Sequence, residues 1–149
     1  MYELKETDLT KEAYIQLLDR LFDSCDTVSF AVLPKKMMGQ KQTLHRLLQE
    51  LEPYLQEIVH DNATRANLFG ANVSVPNYYY RICPESKQLI MQAAENLFYW
   101  QQPELPEDLS FMRKEEEYFV TNAHEGYAML FADDKQLIEL GGTLWSRIK

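Results

Sequence analysis

LSFMRKEEEYFVTNAHEGYAMLFA, residues 109–132, decides how this chain folds, because apolar and polar residues alternate here with a period of two. Leu109–Met112 predicts a short strand, Arg113 to Glu117 a charged turn, and Tyr118 to His124 the next strand. If Glu125 and Gly126 form a two-residue hairpin turn, His124 pairs with Tyr127, Asn122 with Met129 and Val120 with Phe131 on one face. Phe119, Thr121, Ala123, Ala128, Leu130 and Ala132 then share the other face, whose small and aliphatic character assigns it to the core. Three strands joined by short turns require an antiparallel meander.

Downstream, Asp133 is placed to cap a helix, with Gln136 in the capping-box position and Gly141 as a natural stop. The tail TLWSRIK is read as an edge strand, because two consecutive glycines cost a helix about 2 kcal/mol. A resumed helix is the competing reading, since Leu137, Gly141, Leu144 and Ile148 also fall on one stripe.

Upstream the period changes. Tyr14, Leu17, Leu18, Leu21, Phe22 and Cys25 recur at three- and four-residue steps, which predicts an amphipathic helix over about residues 10–25 with Cys25 facing the core. TVSFAVLP, residues 27–34, is β-branched and aromatic and reads as a strand. Leu44, Leu47, Leu48 and Leu51 mark a second helix, continued past Pro53 by Leu55 and Ile58 with a kink or a fresh start at the proline. In SVPNYYYRIC, Tyr78, Tyr80 and Ile82 alternate with Asn77, Tyr79 and Arg81, the pattern of a half-buried strand. Pro84 and Ser86 open a third helix in which Leu89, Ile90, Ala93, Leu97 and Trp100 share a face. The expected class is α+β: a mostly antiparallel sheet with a C-terminal three-strand meander and three to four helices packed on it.

Composition limits the function. At 149 residues with 46% hydrophobic content, the chain suits one globular domain, 1–149, burying on the order of two thirds of its unfolded surface. Two cysteines are too few for a secreted disulfide scaffold, and MYELKETDLT lacks the pattern of a signal peptide, so a cytoplasmic location is expected. The longest apolar run, Tyr127 to Ala132, is about six residues, against the roughly 20 of a spanning helix. A net charge of −8 repels phosphate backbones, so no nucleic-acid partner is expected. The exception is the basic run KKMMGQKQTLHR, with Lys35, Lys36, Lys41, His45 and Arg46, which reads first as a solvated loop and helix face.

The candidate chemistry centres on His124, with Asn122, Tyr127 and Glu125 around it. A neutral imidazole oriented by a carboxylate makes a general base. Glu125, however, is adjacent in sequence and points to the opposite face unless the turn brings it back. The zinc-protease pattern H-E-x-x-H fails because residue 128 is Ala, and no metal or cofactor is expected. Cys83, just before Pro84 at a helix start, has no histidine placed by sequence to activate it. Phosphate-loop, dinucleotide and serine-elbow patterns are also missing.

Phe98-Tyr99-Trp100, Leu105-Pro106-Glu107-Asp108-Leu109 and Ala123-His124-Glu125, with a charged turn between the last two, resemble a family of small uncharacterised bacterial proteins. Some of its members carry a stage III sporulation label. Tyr118 stands where that pattern leads one to expect Trp. The resemblance implies a cytoplasmic bacterial protein with a recurring His-Glu turn, in the company of small acidic immunity-type proteins. Two functions follow as expectations. The first is a non-enzymatic protein-interaction protein, immunity- or antitoxin-like, that binds its partner through an acidic, aromatic surface. The alternative is a small hydrolase-like or ligand-binding domain using a cleft around His124.

Overall fold

The structure is a computed structural model that describes residues 2–5, 9–61, 75–139 and 146–147. In chain order the elements are β1 (Tyr2–Lys5), α1 (Lys11–Ser24), β2 (Thr27–Ala31), α2 (Gln42–Leu51), β3 (Leu55–Asp61), β4 (Val75–Arg81) and α3 (Pro84–Ala93). They continue with β5 (Glu107–Arg113), β6 (Glu116–Asn122), β7 (Tyr127–Leu130), α4 (Asp134–Glu139) and the short β8 (Ser146–Arg147). All eight strands join one antiparallel sheet in the order β3-β4-β2-β5-β6-β7-β1-β8. The fold is α+β, with β5–β7 as the expected meander.

Local chemistry explains most of the elements. Thr10 caps α1 by accepting the Ala13 N–H, and the stripe Tyr14, Leu17, Leu18, Leu21 and Phe22 is buried. Each buried leucine of that stripe is worth about 1.5–3 kcal/mol relative to exposure. Cys25 closes the helix, lies in the core, and its thiol is pushed up to about 12, first by burial and then by Asp26. Val28 and Phe30 of β2, Tyr80 of β4, Phe111 of β5 and Phe119 of β6 face the same cluster as the α1 stripe. At its centre the fully buried Trp100 donates its indole N–H to Tyr14 Oη at 3.1 Å. Asp133 and Gln136 form the expected reciprocal cap of α4, at 2.7 and 2.9 Å.

Three elements differ from expectation. Leu55 and Ile58 do not continue α2 but lie in β3, paired with Tyr80 and Tyr78. Pro53 has no amide to donate to the preceding turn, so the helix ends at Leu51 and a single 3-10 turn, Glu52–Tyr54, leads into the strand. α3 stops at Ala93; Ala94 is extended, and Asn96 Oδ1 takes the Phe98 N–H to start a separate 3-10 turn, Leu97–Tyr99. Leu97 and Trp100 therefore reach the core from a different element than the sequence implied. β1, which was not anticipated, pairs with β7 through Tyr2 and Leu4, opposite Leu130 and Ala128. Its four residues are too few for a period to stand out. In the tail, Ser146 and Arg147 pair with β1, as the strand reading expected, while Gly141 lies outside the described residues. No helix among the described residues is long and apolar enough to cross a membrane.

Candidate functional site

The β6–β7 turn is built from four residues rather than two. The last pair is Asn122 with Tyr127, preceded by Thr121 with Ala128 and Val120 with Met129, and Ala123–Gly126 closes the loop. The Gly126 N–H reaches the Ala123 carbonyl at 3.2 Å, and Gly126 has φ 71°, a conformation open to glycine at no steric cost. Asn122 Oδ1 accepts the Glu125 N–H at 3.2 Å, pinning the turn from inside. The register is thus two residues from the expected one. Because side chains alternate with period two, a slip of two leaves every paired residue on its anticipated face, while Ala123 and His124 move into the turn.

His124 does find a carboxylate, but from another strand. Its Nε2 lies 2.7 Å from Oε2 of Glu107, the first residue of β5, and its side chain is 29% exposed against 2% for Glu107. The other Glu107 oxygen accepts the Gln102 N–H at 2.9 Å. Next to it, Asp108 is also buried and sits at φ 59°, with Oδ1 holding the Ala123 N–H at 2.9 Å. Gln102 extends the network, its side chain accepting the Leu33 N–H and donating to the carbonyls of Leu33 and Gly39. Gln101 Nε2 bonds the Phe98 and Ala123 carbonyls. Four segments of chain therefore converge on one corner of the sheet.

Burial governs the electrostatics there. Loss of water pushes the Glu107 carboxyl up to about 7; the Gln102 N–H and the nearby imidazole pull it down, and Asp108 adds to the rise. A carboxyl poised near neutrality beside an imidazole can exchange a proton with it, and the same pair ties β5 to the turn.

Of the residues picked from sequence, the structure unites Asn122 and Tyr127, whose Nδ2 and Oη are 3.4 Å apart. Glu125, expected to orient the imidazole if the turn brought it back, is exposed and enters the turn through its backbone N–H. Glu107 takes that role. It stands 17 residues before His124, and no local spacing joins the two; only the register of the strands does. No group of three His, Cys, Asp or Glu residues among those described could hold a metal ion.

Other sequence candidates fall elsewhere. Cys83 caps α3 in a reciprocal pair with Ser86, whose Oγ accepts the Cys83 N–H at 3.0 Å. In the basic run, Lys35, Lys36, His45 and Arg46 are exposed, while Lys41 pairs with Glu104 at 3.0 Å. A hollow of about 460 Å³ lies beside that pair, walled by Ala93, Ala94, Phe98 and Leu105, with Tyr99 at its edge. Gln101 and Gln102 reach it, whereas His124 and Glu107 do not line it. No family model, no curated protein and no solved structure matches this chain.

Proposed function

We propose that this chain is a non-enzymatic cytoplasmic interaction protein, of the immunity or antitoxin kind, that binds a basic protein partner. The observation that carries the reading is Tyr99, 60% exposed at the edge of an apolar hollow of about 460 Å³. An exposed tyrosine beside an apolar hollow is good material for a protein interface, where tyrosine is enriched. The net charge of −8 favours a basic protein over nucleic acid. The corner around His124 supports the same view, because both Glu107 oxygens already hold parts of the fold together. Kinship with the small bacterial family rests on the LPEDL and AHE residues and belongs to the same proposal.

A second reading, a small hydrolase-like or ligand-binding domain around His124, is favoured by one observation: a carboxyl held near neutrality 2.7 Å from the imidazole. Affinity capture from the native cell with wild type and Tyr99→Ala tests the first. A stoichiometric basic partner is expected at low salt, weakened by moderate salt and lost with Tyr99→Ala. Recovery of no such partner, or equal recovery by both forms, sinks it.

A further inference from the structure

Strand β3 forms one edge of the sheet, and among the described residues no strand pairs with its outer side; residues 62–74 lie outside those described. Exposed edges in monomeric proteins are blunted by charged side chains, above all Lys, by Pro or by bulges. From Glu57 to Asp61, β3 has two acids but no Lys, Pro or bulge; its irregularity lies between Leu55 and Glu57. Instead it shows Ile58, 44% exposed, and Val59, 39% exposed, side by side on opposite faces of the strand. Val59 also borders a hollow of about 850 Å³ shared with Tyr79 and Met112.

We propose that β3 pairs antiparallel with β3 of a second copy of this chain, joining two sheets into one across a two-fold axis. The backbone sets the register. The Pro76 carbonyl accepts the Val32 N–H, so Pro76 points toward β2, and strand alternation turns Asn77 and its partner Val59 toward each other. The N–H and C=O groups of Ile58 and His60 therefore face outward. Centred on Ile58, the pairing sets Ile58 opposite Ile58, Glu57 opposite Val59, Gln56 opposite His60 and Leu55 opposite Asp61. No acid meets an acid, and the exposed Ile58 of each copy covers the other. This self-complementarity is what selects a second copy over an unrelated strand. One strand pair makes a small interface, so the dimer is weak and depends on concentration. Two chains of charge −8 repel, so salt strengthens it, the opposite sign to binding of a basic partner.

Sedimentation velocity on the purified chain, over a concentration series at low and high salt, tests the proposal. Wild type is expected to shift toward twice the chain mass, more so at high salt, and Ile58→Lys to remain a single chain with an unchanged circular dichroism spectrum. In a Cys83→Ser background, oxidised Ile58→Cys forms a disulfide-linked dimer, while Val59→Cys, similarly exposed but set opposite Glu57, forms far less. A wild type that stays a single chain at every concentration and salt overturns the inference. So does an Ile58→Lys variant that associates as wild type does, or equal cross-linking of the two cysteine variants.

Discussion

The meander turns twice, at opposite ends of the sheet, and the two turns are built in opposite ways. Between β5 and β6 only Lys114 and Glu115 separate the paired Arg113 and Glu116, and both have positive φ, 52° and 67°. Such a primed turn favours Asn-Gly; here two bulky residues hold it, at a cost of about 1–2 kcal/mol each. Asp26, 88 residues away in the chain but just before β2, which lies beside β5 in the sheet, compensates by accepting the Lys114 N–H at 2.9 Å. Between β6 and β7 the chain has the favourable glycine, yet spends four residues and recruits Asn122, Glu107 and Asp108. Turn chemistry thus says where a chain reverses. Both turns draw on an acceptor from outside the loop, so a glycine does not by itself set how many residues the reversal takes.

The largest effect should come from removing the strongest of those acceptors. Asp108→Ala orphans the buried Ala123 N–H and forces alanine to φ 59°, so a loss of about 2–4 kcal/mol is expected in urea unfolding. Asp108→Asn, which keeps an acceptor and tolerates that φ, should recover most of it. A loss of only a few tenths for alanine would show that the turn does not depend on the carboxylate.

Glu107 should leave its mark on the pH profile. Its folded carboxyl is raised to about 7 from 4.5, so it favours folding fully below pH 4.5 and that contribution is lost as pH rises through 7. Unfolding free energies measured across this window should fall less with pH in Glu107→Gln than in wild type. A Glu107→Gln profile as steep as that of wild type would mean that the buried carboxyl is not raised in the folded protein.

The smallest expected change is a gain. Lys114→Asn with Glu115→Gly supplies the residues that a primed turn favours and should stabilise the fold by about 1 kcal/mol. An unchanged or lower unfolding free energy would mean that Asp26 already relieves the strain.

Much of the fold could be read from side-chain period alone. The buried stripe of α1, the alternation of β4, the capping pair Asp133 and Gln136, and both faces of the last hairpin follow from neighbours within a few residues. β3 misled because Leu55 and Ile58 fall at helical spacing, while their actual partners, Tyr80 and Tyr78, lie 25 and 20 residues on in β4. At the candidate site, His124, Asn122 and Tyr127 were legible because one turn gathers them. Glu107 was not.

By itself the sequence determined the class of fold, the elements with a strong period and the side of the sheet on which each meander residue lies, because these depend on local alternation that survives a two-residue slip. Only the tertiary structure decided the register, the carboxylate that meets His124 and the strand left at the edge. Those rest on backbone hydrogen bonds between segments far apart in the chain, and backbone groups are the same in every sequence.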